Sequence, residues 1–179
     1  MKKICLLFAF IVLSSSAFAQ KQAESSSVQF RGYGYAGTAF VKNYGGITTD
    51  VNLGIEIVQR VFLGVETGFH TFFVPTDLTL YLPDMGTTPL MAAETYVPIG
   101  VNLKAYFTKD RLITPLLNIS FGGHVGCLGF KGANGLYCQL GAGFNVKTFS
   151  FSVGYLGRQV IDNSICTPSA GYVKVGWRF

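Results

Sequence analysis

The chain has 179 residues and a formal net charge of +5, which falls to +3 once the first 19 residues are set aside. A balance this mild, with its bases dispersed along the chain, does not indicate a nucleic-acid-binding surface, and we expect no nucleic-acid partner. Hydrophobic residues make up 49% of the chain and charged residues 13%, yet no apolar run reaches about 18 residues, which excludes a transmembrane helix.

The amino terminus has the three parts of a secretory signal peptide. Two lysines form a positive region, residues 4–13 are apolar, and Ala17-Phe18-Ala19 supplies the small residues of a cleavage site. The apolar part is too short to span a bilayer as a helix. We therefore predict cleavage after Ala19, with the export of the remaining chain.

Eight segments of the remaining chain alternate apolar residues with polar or small ones, which is the period of a β-strand. In the fourth segment, for example, Val97, Ile99 and Val101 alternate with Gly100 and Asn102. A short segment at 20–28 precedes a single folded domain at 29–179. The predicted strands cover residues 29–41, 49–58, 61–74, 93–107, 115–127, 136–147, 149–159 and 170–179.

The composition of the polar face decides between two kinds of β-barrel. In a soluble barrel the apolar face points inward, and in a transmembrane barrel it points outward. A soluble lipocalin-like barrel would expose Gly, Asn, Ser and Gln with few charges, whereas soluble surfaces usually carry more charge. A transmembrane barrel points apolar residues at lipid and small or polar residues at its lumen. Short turns alternate with longer connections, so we predict an all-β, eight-stranded antiparallel up-and-down transmembrane β-barrel. It lies in the outer membrane, with both termini in the periplasm.

The lumen of eight strands is just wide enough for side chains, so its charged residues are expected to form a buried polar network. Glu66 with Lys104 is the favoured pair, and the alternative is separate solvated side chains in a wet lumen. The outward face of the first strand stays open, because Tyr33 and Tyr35 compete with Phe40 for it. The predicted network consists of Glu56, Glu66, Lys104, Arg158 and Lys174.

The chain ends in an alternating strand whose apolar face carries Val173, Val175, Trp177 and Phe179. This ending resembles the C-terminal signature of bacterial outer-membrane proteins, which in that family is read by the barrel-assembly machinery. Trp177 and Phe179 are therefore the predicted assembly signal. The whole exported chain resembles the small eight-stranded barrels of the OmpA/OmpX kind. No periplasmic peptidoglycan-binding domain follows the barrel, so the resemblance favours the barrel-only members.

Three cysteines remain after the signal peptide, near one rim of the predicted barrel and in an oxidising compartment. Cys127 and Cys138 lie at the two ends of one hairpin loop, and we favour a disulfide between them. Pairing of Cys166 with either of the other two is the alternative, and in each case the third thiol stays free or pairs between chains.

The connection at residues 75–92 is the longest in the chain. Leu78, Leu80 and Leu82 alternate there, while prolines, aspartates and Gly86 mark turns. We predict that strands three and four continue beyond the membrane as a protruding ridge, resembling the extended edge of the OmpX kind. Alternatively, these side chains fold the loop over the barrel mouth. The candidate contacts with a partner are Leu80, Tyr81, Leu82 and Met85.

The sequence contains few residues in patterns typical of catalytic or metal-binding sites. His70 and His124 fall on predicted lumen faces, with no serine beside either, and the cysteines have no metal-binding spacing. We expect no cofactor, no metal and no enzymatic activity. The favoured function is a structural or surface-interaction role through the extracellular loops, with the lipid bilayer and an extracellular protein or surface ligand as partners. A small diffusion pore and a lipid-modifying enzyme are the alternatives.

Overall fold

A computed structural model describes residues 28–42, 44–82, 86–108, 112–128, 134–160 and 166–179. All of the regular structure in these ranges is β-strand. No helix in the described ranges is long and apolar enough to cross a membrane. The strands are β1 (Val28–Val41), β2 (Tyr44–Ile57), β3 (Val61–Leu82), β4 (Gly86–Tyr106), β5 (Ile113–Leu128), β6 (Gly135–Val146), β7 (Phe149–Val160) and β8 (Cys166–Arg178).

The strands form a closed barrel in which each strand pairs antiparallel with the next. The last strand returns to the first, with a register that runs from Tyr33 opposite Arg178 to Phe40 opposite Gly171. The predicted fold class is therefore confirmed. We call the end of the barrel at which β1 begins and β8 ends the terminal end. The opposite end, at which β3 and β4 join, is the hairpin end.

The wall of the barrel has an apolar outer face. On β3, Leu63, Val65 and Phe69 point outward, and Val65 is 63% exposed. Phe62 and Glu66 alternate with them and are buried inside. This is the pattern of a barrel that faces lipid, because a water-facing wall would carry charge at the outer positions.

The structure shows which residues of β1 face outward, a point that the sequence did not decide. Tyr33 and Tyr35 are buried inside the barrel, whereas Phe40 is 58% exposed on the outer wall. Gly32 and Gly34 alternate with the two tyrosines on the outer face, where the rings of Phe179 and Trp177 lie against them. The two tyrosines therefore fill the lumen at the terminal end, and the outer face of the same stretch has no side chains of its own.

Side chains fill the interior from end to end, as expected for an eight-stranded barrel. One apolar cluster lies near the terminal end, a second lies near the hairpin end, and a polar layer separates them. The first consists of Tyr33, Tyr35, Phe62, Tyr106 and Leu116. The second consists of Ala39, Phe72, Tyr96, Tyr137, Leu156, Ala170 and Tyr172.

The turn between β2 and β3 is strained. Val58 and Gln59 have φ angles of 51° and 54°, and the amide of Arg60 donates to the carbonyl of Ile57 at 2.9 Å. This is the hairpin turn that favours Asn-Gly, and the left-handed conformation costs an ordinary residue about 1–2 kcal/mol.

We expect the double substitution Val58→Asn, Gln59→Gly to raise the free energy of unfolding by about 1–2 kcal/mol. Urea unfolding in lipid vesicles, followed by the fluorescence of Trp177, measures it. Arg60→Gly is the control, since Arg60 has no positive φ and should gain nothing. Equal stability of parent and double variant would show that the turn is not strained.

Candidate functional site

Glu66 is the centre of the buried polar layer. Its carboxylate accepts hydrogen bonds from the Asn102 amide at 2.9 Å, from the Ser120 hydroxyl at 2.8 Å and from the Tyr137 hydroxyl. These partners come from β4, β5 and β6, so one carboxylate joins several strands across the lumen. A buried carboxylate with this many donors is well compensated for the water that it has lost.

Lys104 lies in the same layer and is fully buried. Its ammonium donates to Asn102 at 2.6 Å and to Asn118 at 3.4 Å, and lies 4.7 Å from the centre of the Tyr33 ring. Asn52 satisfies both charged groups when its amide nitrogen faces Glu66, at 2.7 Å, and its oxygen faces Lys104, at 3.2 Å.

The favoured direct pair of Glu66 with Lys104 is therefore wrong, because amides bridge the two charges. The strand register gives the reason. Lys104 lies opposite Phe62, whereas Glu66 lies opposite Gly100, four positions along the same pair of strands.

Asp50 forms the direct ion pair of the layer, with Lys174. Its carboxylate accepts from Nε2 of His70 at 2.7 Å and from the ammonium of Lys174. Lys174 donates in addition to the side-chain oxygen of Gln139, at 2.7 Å. The Tyr137 hydroxyl, which donates to Glu66, lies 3.0 Å from the same Gln139 oxygen. The structure thus brings Glu66, Lys104 and Lys174 into one continuous network.

The other two residues of the predicted network lie at opposite ends of the barrel. Glu56 is at the terminal end, where Arg178 lies 3.9 Å away and the Tyr33 hydroxyl donates to it at 3.4 Å. Arg158 is at the hairpin end, 3.8 Å from Glu94 and with its guanidinium 3.7 Å from the centre of the Tyr96 ring.

The sequence pattern did not single out Asp50, Asn102, Tyr137 or Gln139. Asp50 shares the inward parity of Asn52 and Glu56, so its face could have been inferred from the alternation. The contact of Asp50 with Lys174 could not be inferred in this way, because β2 and β8 are not neighbours in the wall and their side chains meet only across the lumen.

The disulfide predicted between Cys127 and Cys138 is not formed. Both are free thiols, exposed on the outer wall. Cys138 lies opposite Phe121, six positions along β5 from Cys127. Sequence spacing across the loop suggested a cross-strand pair, but the register separates the two thiols far beyond the reach of a disulfide. The side chain of Cys166 lies outside the described residues.

The hairpin of β3 and β4 extends well past its neighbours. Pairing of β3 with β2 ends at Phe72, and pairing of β4 with β5 begins at Thr95, among the described residues. Beyond those points β3 and β4 pair only with each other, as far as Leu82 opposite Gly86. The predicted continuation of strands three and four is therefore confirmed, and both edges of the extension are open within the described ranges.

Exposed apolar side chains follow this extension. Leu78 is 68% exposed, and Phe73, Leu90 and Met91 are exposed as well. The register shifts between Pro75 and Thr79, where the Thr76 hydroxyl donates to the Leu90 carbonyl at 2.8 Å. Of the predicted contacts, Leu80, Tyr81 and Leu82 lie in β3 with side chains that the structure does not describe, and Met85 lies outside the described residues.

The predicted assembly signal lies where β8 closes on β1. The Phe179 amide donates to the Gly32 carbonyl at 3.0 Å, and the Gly32 amide donates to the Phe179 carbonyl at 2.8 Å. The Phe179 ring covers Gly32, and the exposed ring of Trp177 lies against Gly34. Both aromatic residues thus face outward and cover the closing pair of strands.

No group of three or more His, Cys, Asp or Glu residues within the described ranges is placed to hold a metal ion. His70 is bound to Asp50, and Nδ1 of His124 donates to the Leu136 carbonyl at 3.2 Å.

Comparison with known proteins shows similarity at the level of the fold. No protein-family model matches the chain, and no curated protein sequence matches it. The outer membrane protein Ail of Yersinia pestis, solved in a phospholipid bilayer nanodisc, is similar with a TM-score of 0.52 at 15% identity, covering 84% of this chain and 100% of Ail. The crystal structure of Neisserial surface protein A is similar with a TM-score of 0.50 at 16% identity, covering 87% of this chain and 98% of that protein. The chain has the fold of the small eight-stranded outer-membrane barrels, the OmpA/OmpX kind.

Proposed function

We propose that this protein lies in the outer membrane with both termini in the periplasm, and that its hairpin end binds a partner outside the cell. In this proposal the barrel is a rigid, non-enzymatic scaffold, exported by its signal peptide and assembled through its C-terminal strand. The apolar outer wall supports the membrane location, and so does the likeness to an outer membrane protein solved in a bilayer.

The observation that carries the interaction role is the extended hairpin of β3 and β4. Unpaired strand edges offer rows of free amides and carbonyls, and an extended segment of a partner can add to such an edge as a further strand. Past Phe72 and before Thr95 these edges have no neighbour among the described residues.

The side chains of the extension fit the same role. Leu78 and Met91 are exposed apolar residues beside the open edges, and exposed apolar patches often mark interaction sites. Leu80, Tyr81, Leu82 and Met85 remain the predicted contacts at the tip. A partner strand would gain main-chain hydrogen bonds for affinity and these side chains for specificity.

The filled lumen is evidence against the diffusion pore. Tyr33, Phe62 and Lys104 are fully buried in the interior, and the polar layer is joined across it by hydrogen bonds. A small solute would have to displace these groups in order to pass. No described feature favours the lipid-modifying enzyme.

The proposal is tested by replacing residues 78–88 with a Gly-Ser linker of equal length. We expect the variant to assemble and to migrate heat-modifiably on gels, because the barrel below the hairpin keeps all of its pairing. In nanodiscs, the parent protein should enrich extended apolar sequences from a random peptide library, and the linker variant should enrich none.

The Val58→Asn, Gln59→Gly variant is the matched control, since it alters a turn at the opposite end and should enrich the same peptides as the parent. Parent and linker variant should both lack stepwise conductance in planar bilayers. Equal peptide enrichment by parent and linker variant would exclude the hairpin as the binding surface, and large conductance steps would favour the pore.

A further inference from the structure

Exposed aromatic side chains lie at the terminal end of the barrel. Phe107, Phe149 and Trp177 are 58%, 67% and 54% exposed, and Phe149 lies directly opposite Trp177 in the pairing of β7 with β8. In membrane barrels, rings of this kind lie at the level of the lipid headgroups. These residues therefore mark the height of the membrane interface on this side of the barrel.

The turn between β6 and β7 lies immediately beyond two of these rings. It consists of Lys147 and Thr148, which are both exposed. The amide of Arg178 donates to the carbonyl of Thr148, which ties the turn to the end of β8. Neither side chain of the turn has a hydrogen bond or an ion pair with any described residue. The ammonium of Lys147 and the hydroxyl of Thr148 are therefore available to a ligand at the interface.

The backbone of this turn does not favour a lysine. Lys147 has a φ angle of 53°, in the left-handed region that Gly and Asn adopt at lower cost. Formation of the turn therefore does not explain the residue. What Lys147 adds, compared with the usual turn residues, is a positive charge on a long side chain at the headgroup level.

The described bases of the terminal end outnumber its acids. The bases are Arg31, Arg60, Lys147 and Arg178. The acids are Glu56 and the carboxylate of Phe179. Glu56 is 2% exposed inside the lumen, where Arg178 lies 3.9 Å away, so it does not compensate Lys147. An anionic lipid surface attracts bases that lie close to it, and Lys147 is placed to be one of them.

We propose that the β6–β7 turn and the two rings beside it form a binding site for an anionic phospholipid. The ammonium of Lys147 and the hydroxyl of Thr148 contact the phosphate group, and an acyl chain lies along Phe149 and Trp177. A zwitterionic phospholipid binds less tightly, because its own cationic group offsets the charge of its phosphate. The inference rests on the membrane location proposed above and is independent of strand addition at the hairpin end.

Trp177 is the only tryptophan of the chain, so its fluorescence reports on the lipid at the proposed site. The full exported chain is inserted into phosphatidylcholine vesicles that contain a small fraction of brominated phosphatidylglycerol or brominated phosphatidylcholine, since bromine quenches a tryptophan that it contacts. We expect phosphatidylglycerol to bind beside Trp177 at least about fivefold more tightly, which is the contribution of one base near an anionic lipid. High salt should reduce this preference.

Two variants locate the preference. Lys147→Asn removes the charge and introduces a residue that tolerates the left-handed conformation of the turn. We expect it to assemble at least as well as the parent and to lose the preference for phosphatidylglycerol. Arg60→Gln is the matched control, because it removes one charge at the same end but lies on the turn before β3, three strands along the wall from β8. It should keep the preference of the parent.

Equal quenching by the two brominated lipids in the parent, or an undiminished preference in Lys147→Asn, would overturn the proposed site. Equal losses in Lys147→Asn and Arg60→Gln would also overturn it, since the preference would then belong to the charge of the whole terminal end. A barrel that assembles in vesicles without any lipid preference leaves the membrane location intact. Failure to insert into either lipid counts against both the site and the location.

Discussion

Replacing both Trp177 and Phe179 with alanine is expected to lower the yield of folded barrel in cells severalfold. Phe179 exchanges two backbone hydrogen bonds with Gly32, and its ring covers that glycine. Closure of β8 on β1 completes the barrel wall, so that no strand edge is open in lipid, where an unpaired backbone group costs several kcal/mol. Deletion of Phe179 removes both of these hydrogen bonds and should be at least as damaging.

We call the closing contact between β1 and β8 the seam. Two glycines of β1 supply a matched pair of variants for it. A Cβ atom at Gly32 would lie 2.3 Å from the Phe179 ring, so Gly32→Ala must displace that ring. A Cβ atom at Gly34 would lie 3.5 Å from the Trp177 ring, which is ordinary contact. We expect Gly32→Ala to lose folded yield in the direction of Phe179→Ala, and Gly34→Ala to resemble the parent.

Heat-modifiable migration on gels measures the folded fraction of each variant. Phe121→Ala is the control for loss of an exposed aromatic residue, since Phe121 lies on the outer wall away from the seam. If the Trp177 and Phe179 double variant assembles as well as Phe121→Ala, the two residues are not an assembly signal. If Gly32→Ala and Gly34→Ala behave alike, packing of Phe179 on Gly32 does not matter.

Much of the wall was predictable because a transmembrane strand has one lipid face and a period of two. The sequence was less informative where side chains do not alternate clearly. β2 begins at Tyr44, five residues earlier than the predicted start at Thr49, because this stretch pairs with the end of β1 through Gly45 and Gly46. Because Gly45 and Gly46 have no side chains, this stretch shows no alternation of apolar and polar residues.

The turn-forming residues in 75–92 interrupt the alternation of β3 and β4, so their continuation was predicted from Leu78, Leu80 and Leu82 and not from an unbroken strand pattern. Pro75 and Pro89 both lie in the hairpin extension, which has open edges, and prolines within sheets occur mainly in edge strands and at bulges. The extra residues between Pro75 and Thr79 form an irregularity in the pairing, which explains why turn-like residues occur inside a strand.

The alternation of apolar and polar residues does not determine which side chains touch one another in the candidate sites. Period two assigns a residue to a face, but the register decides its height along the barrel. Glu66 and Lys104 share the inner face at different heights, and the two cysteines share the outer face at different heights. Contacts across the lumen require in addition the closure of the barrel, as for Asp50 and Lys174.

A second large effect, a loss of stability, is expected when the buried pair of Asp50 and Lys174 is broken. Asp50→Asn leaves the buried Lys174 without its carboxylate, and Lys174→Met leaves Asp50 with only His70. Breaking a buried pair by removing one partner typically costs about 3–5 kcal/mol, because the remaining charge is uncompensated. We expect each single variant to lose stability in this range, measured as the free energy of unfolding by urea in lipid vesicles.

The double variant Asp50→Asn, Lys174→Met should lose much less than the sum of the two single losses, because no unpaired charge is left in the lumen. Glu66→Gln with Lys104→Met is the comparison cycle. Its coupling should be smaller, since Asn52 and Asn102 separate those two charges and each keeps other hydrogen bonds. Single losses below about 1 kcal/mol with no coupling, as in solvated surface pairs, would mean that water fills the lumen around Asp50 and that the barrel is not plugged by its own side chains.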